Sequence, residues 1–218
     1  MIPKNLFICV ADKNNIDESY KNNVENLLKN NSNYKLNMVD YNDFIEILKN
    51  EKIEWLEYFL KLNKNLGAMI GDYMKYVLLY LYGGVYIDIK SNTLKSFDEI
   101  IGNNTKPIFY HWKTTKIDEY GNYFLISNKN ESVYLEIING INEKIKNYKK
   151  VKNINTPKLN VLKFTGPHYT KNIVDKNKNK IVKSNKERKD DLICSKVQNH
   201  TDKCNTPHYS KVYEELVI

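Results

Sequence analysis

The sequence predicts an α/β protein folded as one layered domain over residues 1–218. Three observations carry this reading. Short apolar runs alternate with segments of helical periodicity along the chain. Hydrophobic residues make up 41% and aromatic residues 12%, with 17 tyrosines, which is globular rather than disordered composition. At 218 residues the chain can bury a real core, and no internal repeat marks a second domain.

Taken in order, Leu6 to Ala11 reads as a first buried strand. Ile16 to Lys29 carries Ile16, Tyr20, Val24, Leu27 and Leu28 at helical spacing. Tyr34 to Val39 is a second strand. Phe44 to Lys49 and Ile53 to Leu62 are helices. Residues 66–82 form the strongest helix, with Ile70, Tyr73, Met74, Val77, Leu78 and Leu81 in one apolar stripe. Gly83 and Gly84 stop it, because glycine accepts the left-handed conformation of a helix end at little steric cost. Val85, Tyr86 and Ile87 then favour a strand, with Tyr86 packed in the core. Ser91 to Phe97 suggests a short strand and Phe97 to Ile101 a turn of helix. Pro107 to Trp112 and Tyr123 to Ser127 read as strands. Asn130-Glu131-Ser132 opens an amphipathic helix through Ile145, and Thr156-Pro157 starts another that runs to Phe164, where Thr165-Gly166-Pro167 breaks it. Residues 175–190 read as a charged loop, and Leu192 to Val197 as a last strand.

Charge and cysteine content bound the function. Lys and Arg number 34 against 26 Asp and Glu, a net charge of +8, concentrated between Lys144 and Arg188. Such a balance suits nucleic acid, acidic membranes or phosphorylated small molecules. The densest stretch reads as a solvated loop. A nucleic-acid or acceptor patch is the other reading, and no helix-turn-helix, finger or RNA-binding signature accompanies it. The abundance of Asn and Lys fits an AT-rich coding genome, viral or bacterial. Cys9, Cys194 and Cys204 are too few and too odd in number for a disulfide framework, which points to a reducing, cytoplasmic setting. No apolar run is long enough for a transmembrane helix, and the start does not read as a signal peptide. Cys194, His200, Cys204 and His208 form a run of potential zinc ligands, but its spacing matches no common finger.

Chemistry concentrates at Asp72, Lys75 and Asp88. Asp88 follows a strand, where open α/β sheets bind ligands, although an aspartate there is also an ordinary turn residue. Asp72 and Lys75 fall roughly opposite the apolar stripe of their helix. They read either as a surface i,i+3 ion pair, worth a few tenths of a kcal/mol, or as ligand contacts.

Gly71-Asp72-Tyr73-Met74-Lys75-Tyr76, followed by Leu78-Leu79-Tyr80-Leu81-Tyr82-Gly83-Gly84-Val85-Tyr86-Ile87-Asp88, resembles the sugar-binding region of DXD-motif glycosyltransferases. That family takes in initiating mannosyltransferases, capsular transferases and clostridial glucosylating toxins. Ile2-Pro3-Lys4 resembles its opening, and Thr165-Gly166-Pro167 with Thr170 a later element. The resemblance spans roughly residues 2–175, with a weaker echo over 207–213. It implies a GT-A-like, Rossmann-like sandwich with a mixed, mostly parallel sheet. It implies transfer of a sugar, with retention, from a UDP- or GDP-linked donor to a glycan, protein or lipid-linked acceptor.

The resemblance also assigns roles. Asp88 matches the first aspartate of the motif and is the metal-ligand candidate. Asp72 matches an acidic residue that holds donor hydroxyls. Lys75 stands where arginine is usual, keeping the charge without the bidentate fork. Gly84, His168, His208 and Ser210 join the donor-binding set, with His208 a second metal-ligand candidate. The implied cofactor is Mn2+ or Mg2+. Lys90 occupies the position of the second aspartate, and an ammonium cannot ligate such a cation. Either Lys90 supplies positive charge directly to the diphosphate, or the chain is a catalytically degenerate fold that binds sugar or nucleic acid.

Overall fold

The computed structural model describes residues 1–149, 157–193 and 212–218. The N-terminal half comprises β1 (Asn5–Cys9), α1 (Glu18–Lys29), β2 (Lys35–Val39), α2 (Tyr41–Glu51), α3 (Ile53–Lys61), α4 (Gly67–Tyr82), β3 (Gly84–Ile87), β4 (Asn92–Thr93) and α5 (Phe97–Ile101). The C-terminal half comprises β5 (Ile108–Lys113), β6 (Asp118–Tyr120), β7 (Phe124–Ser127), α6 (Ser132–Lys146), α7 (Pro157–Phe164), α8 (Pro167–Lys176), β8 (Ile181–Lys183), α9 (Asn185–Asp191) and β9 (Leu192–Ile193).

The central sheet runs β2-β1-β3-β7-β5-β6, with β8 also on β5. It is mixed. β1 pairs in parallel with β2 and β3, and β8 with β5, while β7 is antiparallel to β3 and β5, and β6 to β5. The central strands β1, β3 and β7 are buried on both faces, which is why they read as continuous apolar runs. Phe7, Tyr86, Phe109 and Leu125 point to the face covered by α4 and α6. Leu6, Ile8, Val85, Ile87, Ile108, Tyr110, Phe124 and Ile126 point to the face that packs with Val24 and Leu27 of α1 and Phe97 of α5.

The glycine pair ends α4 as its chemistry requires. Gly83 has φ 63° and ψ 178°, a positive φ that extends the chain at once, and its N–H caps Leu79. Gly84 has φ 114°, and a Cβ there would meet the Asn5 carbonyl oxygen at 2.4 Å. The close packing of β3 on β1 therefore demands glycine.

The charged segment 175–190 differs from the loop expected. Ile181 and Val182 extend the sheet beside β5, and Ser184 with Glu187 forms a capping box that starts α9. Asp191 at the end of α9 is buried and binds Lys95 at 2.7 Å, Lys183 at 2.9 Å and the Tyr110 hydroxyl at 2.7 Å. These partners, distant in sequence, turn a solvated run into structure. Helix α8 and strand β6 were likewise absent from the periodic reading. Of the expected last strand, Leu192 and Ile193 pair with β4, and the rest lies outside the described residues, as does the cap Thr156. Near the chain end, Asn63 and Lys61 bond to the backbone of Leu216 and Ile218, pinning the C-terminus beside α3.

Candidate active site

The site is built where α4 passes the C-terminal ends of β1 and β3. Among the sixteen residues of α4, eleven are buried, because the helix is enclosed by the sheet, α6 and the chain around Thr165. Asp72 and Lys75 are therefore interior groups, 7% and 5% exposed, and not members of a solvent-facing surface. This corrects the helical-wheel expectation. The cover over that side of α4 is supplied by Asn122 and Thr165, which no periodicity within α4 can reveal.

The buried charges are satisfied. The Lys75 ammonium lies 3.0 Å from Asp72 Oδ1 and 3.9 Å from Asp88 Oδ1, donates to the Asn122 carbonyl at 3.0 Å and stands 4.7 Å over the Tyr86 ring. Thr165 Oγ1 donates to Asp72 Oδ2 at 3.0 Å. Tyr86 is buried as expected, and its hydroxyl donates to Asp88 Oδ1 at 2.8 Å. Tyr76 donates to the Thr165 carbonyl at 2.9 Å and accepts from the Asn122 amide, which ties the two covering loops together.

The electrostatics follow from this enclosure. Burial acts to lower Lys75, but the charges of Asp72 and Asp88 outweigh it and hold the ammonium above its ordinary value. Burial, reinforced by Asp88, pushes the Tyr86 hydroxyl well up, so it remains a donor. Cys9, at the end of β1, has its thiol raised to about 12 by burial, against the opposing effect of Lys75.

Asp88 begins a tight turn, as a turn residue would, and its side chain also belongs to the cluster. Its N–H donates to the Tyr123 carbonyl and its carbonyl accepts from Ser91, both at 2.8 Å. The buried Asn23 amide donates to the carbonyls of Ile89 and Ser91, each at 2.8 Å, and so anchors the turn that presents Lys90. The Asp88 side chain is 27% exposed, the opening of the cluster to solvent.

Of the residues expected in the site, Asp72, Lys75 and Asp88 converge and Lys90 stands two residues along the same turn. Gly84 does not join them. It lies at the opposite end of β3, where its role is the close approach to Asn5. His168 opens α8 with a 41% exposed side chain 3.5 Å from Glu119. His208 and Ser210 lie outside the described residues, with Cys194, His200 and Cys204. The contributions of Thr165, Tyr86, Asn122, Asn23 and Cys9 were not anticipated. Tyr86 lay within the quoted motif and Thr165 within the Thr-Gly-Pro element, while Asn122, Asn23 and Cys9 had no signal as site residues.

The described residues do not form a divalent metal centre. Among them no group of three His, Cys, Asp or Glu side chains is placed to hold an ion. Lys75 also fills the space between the two carboxylates with its own positive charge.

This architecture is a mixed α/β fold of the GT-A-like kind. Residues 17–107 match the glycosyltransferase sugar-binding region containing DXD motif. That segment holds Asp72, Lys75, Asp88 and Lys90. Seven chains of solved structures match. One of them, PaToxG Glycosyltransferase, is 17% identical, with a TM-score of 0.61 over 79% of this chain and 69% of that one. The likeness at that identity is one of fold. No curated protein matches the chain. Among the described residues, no helix is long and apolar enough to cross a membrane.

Proposed function

We propose that the protein is a glycosyltransferase. It moves a sugar, with retention, from a UDP- or GDP-linked donor to a glycan, protein or lipid-linked acceptor. The observation that carries this reading is the convergence of Asp72, Lys75 and Asp88 at the C-terminal sheet edge, within the segment that matches the sugar-binding region. Sheet edges of this kind are where α/β folds place ligands.

The chemistry suits the groups present. Glycosyl transfer develops positive charge at the anomeric carbon and negative charge on the departing diphosphate, and positioning with electrostatics supplies most of the rate. Asp72, fixed by Lys75 and Thr165, is a rigid acceptor for donor hydroxyls. Asp88, fixed by Tyr86, presents a carboxylate where the donor enters. No side chain of the cluster is an unencumbered nucleophile, which supports transfer on the same face as the leaving diphosphate. A cytoplasmic location accords with the three-cysteine content.

A thermal-shift and hydrolysis screen against UDP-, GDP- and CMP-sugars tests the proposal. One nucleotide family should stabilise the protein, and Asp88→Asn should abolish that shift. A folded protein that neither responds to nor turns over any of these donors would refute it. Binding of DNA with steep salt dependence in its place would establish the non-catalytic alternative.

A further inference from the structure

We infer that Lys90 is the resident cation for the donor's diphosphate, so that a nucleoside diphosphate binds this protein without a divalent metal. The inference rests on the donor site proposed above. It goes beyond it by assigning the charge partner of the phosphates.

Four observations lead there. First, the carboxylate pair already has its counterion: Lys75 lies 3.0 Å from Asp72 and 3.9 Å from Asp88, and a dication approaching Asp88 would be repelled by that ammonium. Second, the described residues offer no three-ligand group, and an ammonium stands where a second carboxylate would be required. Third, Lys90 makes no ion pair or hydrogen bond among the described residues, whereas the nearby Lys95 and Lys183 are both taken up by Asp191. Its side chain is half-buried. Fourth, the turn that carries it is preorganised. Asn23 bonds the carbonyls on either side of Lys90, and Ser91 closes the turn onto Asp88.

The formal charges agree. Asp72 and Asp88 against Lys75 leave one net negative charge, which would repel a diphosphate. Lys90, two residues along the turn from Asp88, would bring that formal sum to zero and is a charge-assisted donor for a phosphate.

Calorimetric titration of the full chain with UDP and with GDP, in EDTA and in Mn2+, tests this. It compares the wild type with Lys90→Met and Lys90→Asp, with paramagnetic resonance on Mn2+ alone. The wild type should bind one nucleotide with affinities in EDTA and Mn2+ within about threefold of each other. Lys90→Met should weaken binding in EDTA on the order of ten- to hundredfold at unchanged melting temperature. Lys90→Asp should bind the nucleotide only with Mn2+, and should immobilise Mn2+ where the wild type does not. Wild-type binding that vanishes in EDTA and returns with Mn2+ overturns the inference while leaving the donor site standing. Full affinity of Lys90→Met in EDTA overturns it equally. If neither nucleotide binds folded protein in either condition, the donor site and this inference fall together.

Discussion

Replacing Lys75 by methionine keeps the length of the side chain and removes the charge that compensates Asp72. Asp72 is 7% exposed and pairs with Lys75 at 3.0 Å, so the variant leaves a carboxylate in the interior. Breaking a buried pair in this way typically costs ~3–5 kcal/mol. The lower end applies here, because Thr165 still donates to Asp72 and Tyr86 still donates to Asp88. About 3 kcal/mol corresponds to a fall in Tm of roughly 6–12 °C for a chain of this size. The pH dependence identifies the cause. In the wild type Lys75 is held above its ordinary 10.5, so the stability it contributes is fully present below that value. It is lost only as the pH rises through the folded pKa, so Lys75 adds no pH dependence between pH 5 and 9. In the variant, the buried carboxylate has lost its ammonium partner, and burial disfavours its charged form. Lys75→Met should therefore be closer to wild type at pH 5 than at pH 8. Calorimetric melts at both pH values measure this. Adding Asp72→Asn should restore more than half of the loss, as a double-mutant cycle would show. A loss below about 1 kcal/mol, equal at the two pH values, would mean that the pair is solvent-screened, and the enclosed site described above would be wrong.

Other consequences are equally direct. Gly84→Ala should abolish folding or cost several kcal/mol in urea titrations, because its Cβ has a backbone oxygen at 2.4 Å and φ is 114°. Gly71→Ala, inside α4 with nothing within 4 Å of the added carbon, should be neutral or stabilise by ~0.5–1 kcal/mol in the same assay. Burial raises Asp191, but Lys95, Lys183 and Tyr110 outweigh it and hold the carboxyl below its ordinary 3.8. Its contribution is present above that value and lost as the pH falls through the folded pKa. Asp191→Asn should thus cost about 3 kcal/mol near pH 7, with the gap to wild type closing in acid unfolding curves. Cys9, with its thiol raised to about 12, should resist iodoacetamide at pH 8 in the native state and react at once in urea, as peptide mass mapping would show.

The pattern of the chain carried the architecture as far as local rules reach. The strands β1, β3 and β7 are buried on both faces, and their apolar runs say so. The Gly83-Gly84 pair marked the turn between α4 and β3. The approach of Asn5 that makes Gly84 obligatory belongs to tertiary structure. The same limit explains the site. Asp72, Lys75 and Asp88 were visible as an unusual pattern, but their mutual burial depends on Asn122 and Thr165, which arrive from 47 and 93 residues away in sequence. Helix α9 was legible in principle, since Ser184 and Glu187 have capping-box spacing. Its lysines and arginine dominated the reading, because the burial of Asp191 that organises them is invisible locally.

Helix α4, eleven of whose sixteen residues are buried, carries two of the cluster's charged groups. Core and site therefore share one set of contacts: Tyr76 on this helix holds Thr165, Thr165 holds Asp72, and Asp72 holds Lys75. A substitution that loosens the interior will blur the spacing of the charges, and one that alters the charges will weaken the interior. Variation in ligand preference is left to the turn at 89–91, whose hydrogen bonds come from Asn23 and Asp88 and not from α4. New specificities should arise there, by exchange of turns over an invariant buried frame.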